Sequence, residues 1–310
     1  MFDIVRYTTD RQAEWDAFVE KSKNGTFLMK RGYMDYHADR FVDCSLMFYL
    51  KEKLYAVMPA NVCQEAFYSH QGLTYGGLIM SERCTAANVL KVFEEMNEWL
   101  KSKGVKKVVY KPIPHVYSTL PSEEDLYALF RCGARLVARG LSSSIDLTDL
   151  PKWKQNRRTA LNKAMTEGVT VERSNDLEGF WDILTKNLMQ SHGVVPVHRV
   201  EEMQLLQSRF PKNIVLLAAK NREGKLLAGI LLYLTKQVVH SQYISATEEG
   251  KTVGAVDAIM YEVLKMNAQY FDFGISTENG GLYLNEKLIF QKEGFGGRGI
   301  CYDTYEYTIS

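Results

Sequence analysis

Lys292 stands between apolar residues and a glycine-rich turn, in the run LIFQKEGFGG from Leu288 to Gly297. An ammonium so placed is not surrounded by water on all sides, which suits a cation held for a purpose. A snorkelling surface lysine would look much the same. Three further cations, Arg157, Arg158 and Lys163, fall on the stretch WKQNRRTALNKAM. Arginine binds phosphate or carboxylate bidentately, so this stretch could face an anion, its plainer reading being a solvated helix face. The segment SHGVVPVH offers His192 and His198, either of which could act as a general base. No residue stands out as a covalent nucleophile. GxSxG, HExxH, Walker A and a GxGxxG after a strand are all missing from the sequence.

The elements that must position these residues can be read from periodicity. Tyr270, Phe271 and Phe273 form a strand that Gly274 ends, and a polar loop, 276–281, leads towards Lys292. Earlier, a strand at 2–7 leads to a helix from about Asp10, and strands at 44–50 and 54–60 form a hairpin. A third strand is expected over 73–80, interrupted at Gly76-Gly77. Val89, Val92, Phe93, Met96, Trp99 and Leu100 repeat at helical spacing, with Gly104 as the cap. A strand at 105–110, a helix at 123–130 and a strand pair around 135–138 and 143–147 follow. Pro151 marks a boundary, giving domains 1–150 and 151–310. Beyond it come a helix ending at Gly168, a strand at 169–173, helices at 177–190 and 200–209, strands at 214–220, 226–234 and 238–245, and a helix at 256–268. Each half thus runs through helices, an antiparallel hairpin with a third strand, a helix and a last strand, a similarity of pattern that suggests a tandem duplication. Residues 26–42 give no assignable pattern.

Composition narrows the class. The 310 residues are 46% hydrophobic and 24% charged, as in a folded globular protein with ample core. A net charge of +1 gives no global reason to expect nucleic acid or an anionic membrane. Five scattered cysteines with no CxxC argue against a disulfide framework or a zinc site and fit a reducing compartment. Neither a signal peptide nor an apolar run of the ~20 residues needed to span a bilayer is visible, so the expected location is cytoplasmic.

The strand FDFG, the loop, and KEGFGG resemble the closing motif of the FemAB-like transferases, a branch of the GNAT, or acyl-CoA N-acyltransferase, superfamily. The resemblance covers roughly residues 150–305, with weaker support at 10–80, where NGTFL is similar to an early family segment. It implies an α/β (α+β) fold of two GNAT-like domains, each a mixed, mostly antiparallel sheet flanked by helices, with the active site in the second. It implies transfer of an acyl or aminoacyl group to an amine by direct attack, on a cell-wall precursor or an amino sugar. The donor would be acyl-CoA or aminoacyl-tRNA, with no metal; the partners would be a small-molecule or nucleotide-linked amine acceptor and tRNA. Lys292 would stabilise the oxyanion, and Asp272 and Glu278 would take or orient the amine proton. The family's aromatic before the lysine is Gln291 here. In GNAT proteins a strand-to-helix loop presents backbone N–H groups to a pyrophosphate. The matching EEGKTVGAV supplies Gly250, Lys251 and Gly254, although the usual glycine spacing is not kept and a flexible turn would read alike. The competing class is a binding module that keeps the fold and has lost the donor site.

Overall fold

The computed structural model describes residues 1–309, and the side chain of His192 lies outside the described residues. The chain forms two compact units. The first comprises Met1–Leu141, Thr277–Tyr283 and Cys301–Ser310, and the second Ser142–Ser276 and Leu284–Ile300. Pro151 lies inside the second unit, and the division at Leu141 and Ser142 falls within the Arg135–Asp146 strand. That strand is continuous where two were expected, and Gly140 does not break it.

In the first unit the expected hairpin pairs Leu46–Leu50 with Lys53–Met58, and Asp3–Arg6 and Ile79–Met80 flank it, all antiparallel. The tight turn is made by Lys51 and Glu52, both at positive φ. The strand expected over 73–80 shrinks to Ile79–Met80. A Cβ on Gly76 would lie 2.1 Å from Ser69 O and Gly77 has φ +79°, so the backbone there packs closely and leaves the ladder. In a second sheet Lys107–Tyr110 pairs parallel with Ala66–Tyr68, which continues antiparallel to Asn61–Cys63 and Val42–Asp43. Helix Ala86–Ser102 buries Val89, Val92, Phe93, Met96 and Leu100, one face of a 3.6-residue period.

The second unit carries the elements that matter below. They are β1 (Arg135–Asp146, from residue 142), α1 (Gln155–Glu167), β2 (Thr170–Ser174), α2 (Leu177–His192), α3 (Val200–Arg209), β3 (Ile214–Lys220), β4 (Leu226–Leu234), β5 (Val238–Ala246), α4 (Glu248–Val253), α5 (Ala255–Val263), β6 (Tyr270–Ile275) and α6 (Glu286–Gly294). Strands β2 to β5 form an antiparallel meander, β5 pairs parallel with β6, and β6 pairs antiparallel with β1. Strand β4 is buried along nearly its whole length, because helices cover it. Ile230, Leu232, Ile259, Val263, Phe271 and Phe295 lie in one buried cluster beneath α5.

Two further expectations change here. The stretch expected as a phosphate-binding loop is a short helix, α4, and the helix expected over 256–268 is α5, ending at Val263. Among the described residues no helix is long and apolar enough to cross a membrane.

Candidate functional site

The centre of the second unit is the place where β5 and β6 part. Their parallel pairing covers Val238↔Tyr270, Val239↔Phe271 and His240↔Asp272 and goes no further. Strand β5 nevertheless stays paired with β4 as far as Ala246. Gln242 is the extra residue in that pairing, between Ser241↔Leu232 and Tyr243↔Leu231, a bulge that bends β5 two residues beyond His240. The sheet therefore opens just past the His240–Asp272 rung.

Asp272 is fully buried and held by three donors. Ser142 Oγ donates to Oδ1, Gly274 N–H donates to the same oxygen at 3.2 Å, and His240 Nδ1 is 2.9 Å from Oδ2. Lys292, on α6, is 7% exposed, and its ammonium donates to Gly274 O at 2.7 Å and Ile275 O at 3.1 Å. Burial lowers its pKa to about 8, with Asp272 opposing the shift. The helix is placed by its Asn285 cap, whose side chain accepts from Leu288 N–H, and by Lys154 N–H donating to Gly294 O. Gly297 keeps the end of α6 close: a Cβ there would lie 3.0 Å from Ser143 Cβ and 3.1 Å from Lys292 O.

A cleft of about 600 Å³ lies beside this opening. Leu184, Leu188, Ile244 and Leu288 give it an apolar wall, while Arg157, Lys251, Asp257 and Gln291 give it charge and polarity. Arg157 Nη1 is 3.4 Å from Asp257 Oδ1, and the guanidinium carbon lies 4.5 Å from the Phe295 ring centre. Burial raises the Asp257 pKa and Arg157 opposes it. Arg157 Nε is buried without a hydrogen-bond partner among the described residues, against Gly294.

The residues singled out in the sequence are thus sorted by the fold. Asp272 and Lys292 meet around Gly274. Arg157, Gly250, Lys251 and Gly254 line the cleft. Arg158 and Lys163 are exposed on α1, and Arg158 bonds to Gln155. His198 is buried, with Nδ1 2.7 Å from Tyr243 Oη, and its carbonyl accepts from Trp181 Nε1. That makes it an anchor for the chain entering α3. Glu278 is exposed and belongs to the first unit. His192 is helical in its backbone, and its side chain lies outside the described residues.

The glycines of the expected phosphate loop serve packing. A Cβ on Gly250 would meet Leu227 O at 2.2 Å, and one on Gly254 would meet Ala160 O at 2.3 Å, so α4 and α5 can approach β4 and α1 only without side chains. The Gly250 N–H donates to its own cap, Thr247 Oγ1, at 2.9 Å. His240 and Ser142 escape a reading of the sequence. Neither belongs to a motif, and only the β5–β6–β1 register brings them to Asp272.

This order of strands, with a parallel pair that parts and a helix following the splayed strand, is a GNAT fold. More narrowly, it is the FemAB-like form. The chain is similar to FemX over 99% of its length and 97% of that chain, with 13% identity and a TM-score of 0.71. It is similar to L-PGS from Bacillus licheniformis over 97% of its length and 92% of that chain, with 15% identity and a TM-score of 0.63. A tandem GNAT protein from the clavulanic acid biosynthesis pathway matches over 100% and 99%, with 10% identity and a TM-score of 0.53. The sequence matches no protein-family model and no curated protein.

Proposed function

We infer that the protein is an acyltransferase that moves an acyl or aminoacyl group to an amine by direct attack. The observation that carries this reading is the buried Lys292 ammonium, held by two backbone carbonyls where β5 and β6 part. A fixed cation in a site that excludes water stabilises negative charge on a carbonyl oxygen far better than a solvated one. A role in catalysis also accounts for keeping a charge buried although desolvation lowers its pKa to about 8. The fold shared with FemX and with a tandem GNAT protein agrees with group transfer.

The adjoining cleft is where the donor would lie. Arg157 and Lys251 would meet an anionic portion, and Leu184, Leu188 and Leu288 would contact an apolar portion. With the Gly250 N–H already committed to Thr247, a pyrophosphate finds fewer backbone donors here than in a glycine-rich loop. That favours aminoacyl-tRNA over acyl-CoA as donor. An amine on a cell-wall precursor or an amino sugar would be the acceptor. A non-catalytic module would be expected to have a filled channel, and the cleft of about 600 Å³ speaks against it.

The test is transfer from labelled acetyl-CoA and from labelled alanyl-tRNA to glucosamine and to a UDP-linked muramyl peptide, using wild type and Lys292→Met. Thermal shifts with each compound alone would run in parallel. Transfer that Lys292→Met abolishes supports the reading. No transfer and no shift, from protein shown to be folded, would sink it for these substrate classes.

A further inference from the structure

Asp272 is enclosed on every side that a carboxylate uses, so it is badly placed to accept a substrate proton itself. Both oxygens already receive donors: Ser142 Oγ and Gly274 N–H on Oδ1, and His240 on Oδ2, with the side chain 0% exposed. Its neighbour differs. The His240 side chain is 13% exposed and sits on the last paired rung before the sheet opens.

We propose that His240 is the base that takes the proton of the attacking amine, held in place by Asp272. This rests on the acyl-transfer reading above. A carboxylate only accepts hydrogen bonds, so the 2.9 Å contact puts the imidazole proton on Nδ1 and makes Nε2 the basic nitrogen. The far edge of the ring faces Gly274. A Cβ there would lie 3.4 Å from His240 Cε1 and 3.9 Å from Nε2. The carbonyl of the same glycine accepts the Lys292 ammonium. The basic edge and the fixed cation thus stand beside one residue that has no side chain.

The step balances without any added reagent. The amine nitrogen forms a bond to the acyl carbon while the carbonyl π pair moves to oxygen beside Lys292. The N–H proton passes to His240 Nε2. The oxygen pair then returns, the bond to the donor's leaving oxygen or sulfur breaks, and the imidazolium returns the proton to that atom.

Two measurements decide the proposal. The first is ¹⁵N NMR of the histidine rings, with His240→Asn used to assign the resonance. The neutral ring should carry its proton on Nδ1 in wild type and lose that preference in Asp272→Asn. A neutral ring protonated on Nε2 overturns the proposal, whether or not a substrate pair has been found. The second is transfer by His240→Asn on the probes above. Asparagine can still donate to Asp272 from the Nδ1 position, so a purely structural role would be rescued. A base role predicts a fall in kcat of about 10²-fold or more with folding intact. Wild-type kcat in His240→Asn overturns the proposal. Failure of the acyl-transfer reading would show instead as inactive wild type, and the ring tautomer would then decide for or against His240 by itself.

Discussion

The Lys292 ammonium donates to the carbonyl oxygen of Gly274 at 2.7 Å, tying α6 to the end of β6 with a buried charge. Replacing it by methionine keeps the volume and removes the desolvation cost but takes the donor from Gly274 O and Ile275 O, so Lys292→Met should lose no more than about 1–3 kcal/mol. Transfer should nonetheless fall about 10²-fold or more, the loss typical of a removed oxyanion donor. A melting curve beside a rate assay checks both. Equal loss of stability and activity would make Lys292 a purely structural tie.

The protonation of Lys292 gives a pH prediction. Its folded pKa of about 8 lies below the ordinary lysine value, so the folded state binds fewer protons between about pH 8 and 10.5. Its contribution to stability therefore improves as pH rises through that window, at most about 1.4 kcal/mol per pH unit. Activity that needs the cation should fall over the same rise, beginning near pH 8. Denaturant titrations and initial rates from pH 7 to 10 would show the two trends running oppositely, and Lys292→Met should show a shallower stability trend, the remainder coming from Lys111, whose pKa burial also lowers to about 8.

Arg157 offsets the burial of Asp257. Arg157→Met should destabilise the second unit by about 2–4 kcal/mol, since the carboxyl is then left without its cation and Phe295 without its stacked partner. Burial raises the Asp257 pKa and Arg157 lowers it, so the variant's folded pKa should rise further above the unfolded one. A raised folded pKa means that stability is greatest at low pH and lost as pH rises through the window. Arg157→Met should therefore recover part of its deficit near pH 5, read from urea midpoints at pH 5 and pH 7.5.

Two glycines with nearly the same φ separate backbone strain from packing. Gly254 (φ +80°) would place a Cβ 2.3 Å from Ala160 O, whereas Gly104 (φ +78°) has nothing within 4 Å. Gly104→Ala should cost only the conformational term, about 1–2 kcal/mol. Gly254→Ala adds a clash with backbone that cannot turn aside, and should cost about 3 kcal/mol or more. Equal midpoint shifts would contradict the close approach of α5 to α1.

Acid should unfold the first unit through its buried histidines. Burial lowers the pKa of His70 to about 3, the facing His37 adding to the shift, and burial also lowers that of His37. The rings are stacked at 5.5 Å, and His70 Nδ1 has no hydrogen-bond partner among the described residues. Below pH 6.5 the unfolded chain takes up protons that the fold excludes, so stability declines as pH falls towards 3. His70 holds φ +66°, so His70→Asn, which tolerates that backbone, should flatten the decline from pH 6.5 to 4.5. An unchanged slope would exonerate His70.

Helix and strand were legible in the sequence wherever apolar periodicity was strong. The helices Ala86–Ser102 and Val200–Arg209 follow from the residues alone, because burial of one face imposes a period that local sequence records, and the strands Ile214–Lys220 and Leu226–Leu234, buried on both faces, read as continuous apolar runs. The glycines at 250 and 254 were visible as exceptions, but their reason was not. Backbone approach to Leu227 and Ala160 is a contact between distant segments and leaves no local pattern. The site divides in the same way. Lys292 and Asp272 announced themselves by charge among apolar neighbours. The partnership of Asp272 with His240 and Ser142 depends on strand register, and so does the parting of β5 from β6. A register shift of one residue would turn His240 to the other face with no change in composition. Residue types determined what chemistry this chain could offer. Only the tertiary pairing of three strands decided which of those groups meet.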